Sequence, residues 1–159
     1  MAVAFFQWFN TKASYVKQEK TWIWPSGARL KFGHCQHEED KYDYQGHEYH
    51  YQGYDQLEEF TLSQYEFLKA QARSSDPKIP VRIRATANPG NVGHLWVKRR
   101  FIDDKQPLQV YKDQLGLTSI FIPAKIYDNP SLTGNDPLYV KRLESLPEQD
   151  RKALLDGDW

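Results

Sequence analysis

The sequence of 159 residues has little of three features that define common classes of protein. Its single cysteine, Cys35, excludes an internal disulfide framework and suits a reducing compartment. No apolar run approaches the length of a membrane span, and residues 1–6 are too short and lack the basic residue of a secretory signal. With 40% hydrophobic residues, the chain is predicted to be one soluble intracellular domain, or part of one.

The formal net charge is also zero, but two segments carry opposite charge. Residues 36–60 contain eight acids against one base, Lys41, whereas residues 81–102 contain five bases and no acid. Such an asymmetry marks a binding surface in some proteins. More often the two segments neutralise each other or face water, and charge alone leaves both alternatives open.

Turn signals and hydrophobic periodicity predict strands that alternate with helices. The aromatic first twenty residues are typical of an amphipathic helix, and Thr61 with Gln64 forms a capping-box pattern that starts another. Two further helices are predicted to begin after Asp136 and near Pro147. A hairpin is predicted in "TWIWPSGARLKFGH" and a further short helix in "HLWVKRRFI". Single strands are predicted in "HEYHYQGYD", "VRIRATA" and "SIFIPAKI". This alternation indicates an α/β fold.

Four histidines have a spacing that superficially suggests zinc: His34, His37, His47 and His50. A structural zinc ion needs four nitrogen or sulfur ligands that converge. Residues three apart on a strand point to opposite faces, so His47 and His50 are not expected to point inward together. The pattern therefore favours exposed histidines on a hairpin over a metal site.

Asp55 follows a predicted strand and precedes the capped helix. In P-loop nucleotide hydrolases, an acid at the carboxyl end of a strand holds Mg²⁺, and a neighbouring carboxylate orients water. The strand "YHYQGY" before Asp55 is far less aliphatic than a buried parallel strand. From spacing alone, an ordinary turn acid is favoured over a magnesium ligand.

The stretch "RATANPGNVGHLWVKRRF" places Thr86 and Asn88 at the end of another strand. Ligands bind at this edge in open α/β sheets. Gly90 and Gly93 would allow a close backbone approach or a positive φ. The alternative is an ordinary strand, turn and helix, with its basic residues in water.

Taken together, these segments resemble the large terminase subunit of tailed phages and prophages, the ATP-driven motor that packages viral DNA into procapsids. The resemblance extends from about residue 20 to the end of the sequence. It rests on "LKFGHCQHEEDKYDYQGHEYHYQGYDQLEEFT", "VRIRATANPGNVGHLWVKRRFI", "IFIPAKIYDNPSL" and "LLDGDW". It implies a partial RecA-like (P-loop NTPase) sheet with flanking helices, and a localisation in the host cell cytoplasm.

The resemblance also implies roles for particular residues. Asp55 lies where the family has its Walker B magnesium ligand. Thr86, Ala87 and Asn88 lie where it has the coupling motif, which links the state of the ATP γ-phosphate to movement. The basic residues of the following helix become candidates for contacts with DNA or phosphate: Lys98, Arg99 and Arg100.

Three departures from the family pattern qualify this interpretation. No G-x-x-x-x-G-K-[ST] motif occurs, so residues 1–159 are expected to be a single partial domain that binds neither ATP nor Mg²⁺ by itself. Gln56 stands where the family has a catalytic Glu, and an amide cannot accept a proton as a carboxylate does. Glu58 or Glu59 would have to replace it. The nuclease domain of the family is not recognisable either.

Three functions therefore remain from the sequence. The chain is part of a terminase large subunit, or a non-catalytic prophage remnant or split-gene product that acts as a binding module, or a non-specific DNA-binding module. The family implies as partners the remainder of the large subunit, the small terminase subunit, the portal and double-stranded DNA, but no membrane. A RecA-like sheet without its first strands exposes edges and apolar surface, which predicts self-association or a partner chain.

Overall fold

A computed structural model describes residues 12–159. It has mixed α/β structure with three small sheets and several short helices, which confirms the predicted class at that level. The chain divides into two compact units, Met1–Asp40 and Lys41–Trp159, and each is described by itself. Within residues 12–159, no helix has both the length and the apolar character needed to cross a lipid bilayer.

The described part of the first unit is an antiparallel meander of β1 (Ser14–Val16), β2 (Thr21–Ile23) and β3 (Arg29–Lys31). The predicted hairpin is confirmed, because β2 pairs with β3 around a turn in which Gly27 has a φ of +84°. The helix predicted over residues 1–20 is not formed in the described part, where residues 14–16 pair with β2 instead. The rest of that predicted helix, residues 1–11, lies outside the described residues.

The second unit begins with a 3-10 segment, Glu38–Tyr44, that overlaps its boundary. Its remaining elements are β4 (Tyr51–Tyr54), a 3-10 turn (Leu57–Glu59), α1 (Leu62–Lys69), β5 (Arg82–Ala85), α2 (His94–Phe101), β6 (Val110–Lys112), β7 (Thr118–Ile120), a 3-10 turn (Ile126–Asp128), α3 (Pro130–Asn135), α4 (Pro137–Glu144), α5 (Glu148–Arg151) and a π-helical turn (Lys152–Asp156). β4 and β5 are parallel, whereas β6 and β7 form an antiparallel hairpin.

Helix α1 starts as its sequence predicts. The Thr61 hydroxyl accepts a hydrogen bond from the Gln64 N–H at 3.1 Å, and the Gln64 side-chain oxygen accepts one from the Thr61 N–H at 2.9 Å. This reciprocal capping box satisfies two of the donors that a helix start leaves free. It also sets the direction in which the chain leaves the turn that follows β4, residues 55–60, which is called the strand-end turn below.

The core around β4 is aromatic and also contains the hydrogen-bonded amide of Gln52. Tyr54, Leu57, Tyr65, Leu68 and Val97 are buried. Gln52, which makes β4 unusually polar, donates from Nε2 to the Leu68 carbonyl at 2.7 Å and accepts from the Tyr54 hydroxyl at 2.9 Å. The amide therefore joins β4 to the last turn of α1, and a strand that lacks aliphatic residues still packs against a helix.

Gly93, at the start of α2, lies where no side chain fits. A Cβ added there would lie 2.7 Å from the Phe60 carbonyl oxygen, 2.8 Å from the Glu58 carbonyl oxygen and 2.9 Å from Trp96 Nε1. The Gly93 N–H donates to the same Glu58 carbonyl at 2.7 Å. Glycine thus allows α2 to approach the strand-end turn closely.

Replacing Gly93 with Ala should therefore destabilise the fold by about 2–3 kcal/mol, because two of the three contacts are with backbone that cannot rotate away. Urea unfolding followed by circular dichroism measures this change. Gly134→Ala is the matched control, since a Cβ there meets nothing within 4 Å. That change should be neutral or stabilising by up to about 1 kcal/mol. Equal stabilities of the two variants would contradict this account of Gly93.

Candidate functional site: the strand ends at Asp55 and Thr86

The carboxyl ends of β4 and β5 bring together two residues that the sequence predicts as part of a site, the acid Asp55 and the hydroxyl-bearing Thr86. The register pairs Tyr54 with Ala85, so Asp55 and Thr86 follow their strands at the same edge of the sheet. The Thr86 hydroxyl donates to Asp55 Oδ1 at 2.8 Å. Both residues are exposed. A direct hydrogen bond thus joins two of the predicted site residues that lie 31 positions apart in the chain.

Gln56 is held in an unusual conformation by the same threonine. Its backbone is left-handed, with φ +56° and ψ +65°, which costs a non-glycine residue roughly 1 kcal/mol. The Gln56 N–H donates to the Thr86 hydroxyl oxygen at 3.1 Å, and the next N–H, of Leu57, donates to the Thr86 carbonyl at 2.8 Å. Thr86 therefore fixes both the acid and the backbone turn that follows it.

The two other predicted acids of this turn have different surroundings. Glu58 is 2% exposed, and its Oε2 is buried without a hydrogen-bond partner in the described part of the chain. Glu59 is exposed. A buried carboxylate atom cannot contact a water molecule that attacks from solvent, so Glu59 is the more accessible of the two candidates for the role that Gln56 cannot fill.

The other two residues predicted for the coupling motif, Ala87 and Asn88, lead into a turn with two left-handed residues. Ala87 is half-buried and Asn88 is exposed. Gly90 has a φ of +119° and Asn91 a φ of +60°. The Gly90 N–H donates to His94 Nδ1 at 3.0 Å, which joins the turn to the first residue of α2.

Helix α2 is attached to the strand-end turn and to α1 through Trp96. The indole Nε1 donates to the Phe60 carbonyl at 2.9 Å. Its ring is stacked on Tyr65 of α1 with centroids 4.9 Å apart. Together with the contact at Gly93, these interactions hold α2 beside the Asp55 turn, and the short helix predicted in "HLWVKRRFI" is confirmed.

The three basic residues of α2 have different environments. Lys98 Nζ donates to the Trp159 carbonyl at 2.6 Å, and Arg100 forms an ion pair with Glu66 while it lies over the Tyr65 ring, 5.3 Å from the ring centroid. Arg99 is exposed. Two of the three cations are thus engaged within the chain. The prediction that this block contacts DNA or phosphate remains untested for all three.

A pocket of about 340 Å³ lies beside the Pro89–Gly90 turn, between α2 and the last residues of the chain. One wall is formed by the rings of His94 and Trp159, which are stacked with centroids 5.6 Å apart. The sequence predicts no role for His94, and Trp159 belongs only to the family motif "LLDGDW". Residues 65 positions apart carry no periodic signal that would reveal such a pair.

Two of the four spaced histidines, His47 and His50, lie in the second unit. His50 Nε2 is 2.9 Å from Glu48 Oε1, which also accepts hydrogen bonds from the N–H and the hydroxyl of Ser75. The pKa of Glu48 lies below its ordinary value, chiefly because of the Ser75 N–H and then because of His50. Among residues 12–159, no three side chains of His, Cys, Asp or Glu converge as metal ligands would.

No family model, no curated protein and no solved structure matches this chain. The resemblance to terminases therefore stays a prediction from the sequence. The geometry at the strand ends is the structural observation on which a function is argued.

Thr86→Val should remove both hydrogen bonds of the hydroxyl and destabilise the fold by about 0.5–1.5 kcal/mol. The loss should be modest because the Asp55 carboxylate and the Gln56 N–H can bond to water instead. Amide hydrogen exchange at Gln56 should accelerate, and Thr86→Ser should restore slow exchange. If exchange at Gln56 is unchanged in the valine variant, Thr86 does not hold this turn.

The ion pairs of Glu66 with Lys69 and Arg100 predict a dependence of stability on pH. Partial burial raises the pKa of Glu66, but the bond with Lys69 and the charge of Arg100 outweigh it and leave the pKa below its ordinary value of 4.5. A depressed folded-state pKa contributes stability above the unfolded-state pKa, and this stability is lost as pH falls through the folded-state value. The contribution should be at most about 1 kcal/mol, because the pair is partly exposed.

Glu66→Gln should abolish this part of the acid dependence when urea unfolding is repeated between pH 6 and pH 2, values chosen to span roughly both pKa values. Glu144→Gln is the control, because Glu144 is exposed on α4 and forms no ion pair among the described residues. If the free energy of unfolding falls equally with pH in the wild type and in Glu66→Gln, the acid dependence does not come from Glu66 and its ion pairs.

Proposed function

We propose that this chain is part of a terminase large subunit, the ATP-driven motor that packages viral DNA, and that it supplies the magnesium-facing and coupling strands of the nucleotide site. The observation that carries the proposal is the hydrogen bond from Thr86 to Asp55 at the ends of adjacent parallel strands. The functional interpretation of this hydrogen bond comes from the resemblance of "TANPGNVGHLWVKRRF" to the family's coupling segment.

The donor set at Asp55 fits a magnesium–nucleotide complex better than a metal ion held by protein alone. Asp55 is exposed, its Oδ1 accepts from Thr86, and Oδ2 has no hydrogen-bond partner among residues 12–159. Mg²⁺ is commonly bound through one or two carboxylates together with substrate phosphates. When bound, the ion would neutralise charge on the phosphates. Asp55 would hold it, and Thr86 would keep the carboxylate oriented.

Thr86 is suited to respond to the state of that site. Its hydroxyl is shared between the side chain of Asp55 and the backbone of Gln56, and its carbonyl accepts from Leu57. A change in the orientation of Asp55 therefore acts on the left-handed turn at Gln56. From there, the Glu58 carbonyl leads to Gly93 and α2 through a 2.7 Å hydrogen bond.

The RecA-like form of the fold is part of this proposal, and so is a partner. Within residues 12–159, the parallel sheet that carries Asp55 and Thr86 contains only β4 and β5. The outer edge of β5 therefore pairs with no strand in this part of the chain, at Ile83 and Ala85. Parallel sheets are normally covered on both faces and extended by further strands. The phosphate-binding loop, for which this sequence has no motif, would come with the segment that occupies this edge.

The open edge also supports the second candidate, a non-catalytic product of a split or degraded gene that binds other motor components. Gln56 in place of a carboxylate fits that role. The two candidates differ in whether nucleotide hydrolysis appears once a phosphate loop is supplied. DNA binding as the main function is less favoured, because Lys98 and Arg100 have partners within the chain.

The test begins with the DNA beside the codon for Met1, which is sequenced for a reading frame that encodes a phosphate loop. That product is co-expressed with this chain, and ATP hydrolysis by the purified complex is measured. Asp55→Asn should lower the rate at least about 100-fold. Asp43→Asn should not, because Asp43 is an exposed acid outside the strand-end turn.

The isolated chain supplies the second measurement. Titration with Mg²⁺ and ATP should give a dissociation constant weaker than about 1 mM, because much of the phosphate affinity in this class comes from the loop. Micromolar binding by this chain alone would contradict the proposal. A stable complex that hydrolyses no ATP, with wild type and Asp55→Asn alike, would favour the non-catalytic candidate.

A further inference from the structure

The two faces of the β4–β5 sheet differ in character. Gln52 and Tyr54 lie on the face that packs against α1, where they contact the Leu68 carbonyl and the Tyr65 ring. Side chains alternate along a strand, and residues paired in a parallel register point to the same side. The opposite face therefore carries four residues, all exposed and called the open face below: Tyr51, Gly53, Arg82 and Arg84.

The composition of the open face does not suit a covering helix. A helix that packs on a parallel sheet needs aliphatic side chains beneath it, and the open face has none. It carries two cations instead. Among residues 12–159, the Arg84 guanidinium forms no hydrogen bond or ion pair, and that of Arg82 bonds only to the neighbouring Val81 carbonyl, at 3.1 Å. Guanidinium groups without a carboxylate partner favour an anionic ligand, above all a phosphate.

Tyr51 adds a flat aromatic surface to this face. Its ring lies over Gly53, where an added Cβ would be 3.2 Å from Tyr51 Cε1 and 3.6 Å from the hydroxyl oxygen. Tyr51 is nevertheless 53% exposed, and its ring meets no other ring or cation within residues 12–159. Exposed rings beside positive charge are the surfaces on which the bases of single-stranded nucleic acids stack.

The register brings the ring and the two cations within reach of one short strand of nucleic acid. Tyr51 is paired with Arg82, and Gly53 with Arg84. The two arginines are about 6.6 Å apart along β5, since a parallel strand rises about 3.3 Å per residue. A flexible single strand can therefore place successive phosphates at the two guanidinium groups while one base lies on the ring. Paired bases in a duplex are already stacked on their neighbours, so a duplex could use only the cations.

We propose that the open face binds single-stranded nucleic acid, with a base stacked on Tyr51 and phosphates held by Arg82 and Arg84. Asp55 follows β4 at its carboxyl end, and its negative charge confines the phosphates to the other end of the face. Neither stacking nor phosphate contact reads the edges of bases, so little sequence preference is expected. The proposal requires no nucleotide and does not rest on the proposed ATPase site.

The test is the fluorescence anisotropy of a labelled oligothymidine of about 12 nucleotides, titrated with the isolated chain. A dissociation constant of about 10–100 µM is expected in about 50 mM salt, since the contacts are few. Each phosphate contact with a single strand contributes about −0.7 to the slope of log K against log salt concentration, so the slope should be about −1.4. Arg84→Ala should bring it to about −0.7. Arg29→Ala is the matched control, because Arg29 is an exposed arginine on a strand of another sheet, β3.

The contribution of the Tyr51 ring is tested by two variants that both lack the hydroxyl. Tyr51→Leu should weaken binding at least about fivefold, whereas Tyr51→Phe should retain it, because only the ring stacks on a base. An oligouridine measured in parallel distinguishes RNA from DNA as the source of the strand, and binding of either one supports the proposal. A duplex of the same length that binds as tightly as the single strand overturns it.

Ultraviolet cross-linking of the unmodified chain gives a measurement that does not depend on how the variants fold. An oligonucleotide that carries bromouracil should cross-link to the peptide that contains Tyr51, as identified by mass spectrometry. Cross-links found only in α2 or in the first unit overturn the proposal. Absence of binding by both oligonucleotides in about 50 mM salt overturns it as well and leaves the face to an acidic protein segment. None of these results involves ATP hydrolysis, so the proposed function stands or falls separately.

Discussion

The parallel pairing of β4 with β5 is the constraint on which the second unit depends. It brings two strand ends to one edge, and Thr86 completes the edge through its hydroxyl and its backbone. The left-handed conformation of Gln56 is tolerated because three hydrogen bonds around Thr86 hold the turn. The same turn provides the Glu58 and Phe60 carbonyl groups that accept hydrogen bonds from Gly93 and Trp96. The geometry of the candidate site and the position of α2 therefore depend on the same backbone segment.

Aromatic side chains replace the aliphatic core that such a sheet usually has. The Tyr65 ring packs against both Tyr54 and Trp96. The hydrogen bonds of Tyr54 and Trp96 are directional, so they specify how β4, α1 and α2 are oriented. This arrangement explains how a strand with the sequence Tyr-Gln-Gly-Tyr can pack against α1.

The outer edge of β5 pairs with no strand within residues 12–159. Such an edge offers backbone donors and acceptors, so its natural occupant is another strand. The proposed role in a packaging motor, in which this chain is completed by a further segment, is consistent with that edge.

Local sequence determined the elements whose signals are local: the β2–β3 hairpin, the capping box at Thr61, the strand at residues 82–85 and helix α2. It also placed Asp55 and Thr86 at strand ends, but spacing alone favours an ordinary turn acid at Asp55, and the predicted roles of both residues come from the resemblance to terminases. Only the tertiary structure decided that these two side chains are hydrogen-bonded, that Glu58 is buried while Glu59 is exposed, and that His94 stacks on Trp159. The physical reason is that burial and contact between residues 31 to 65 positions apart depend on how elements pack, and no nearby residue encodes that packing.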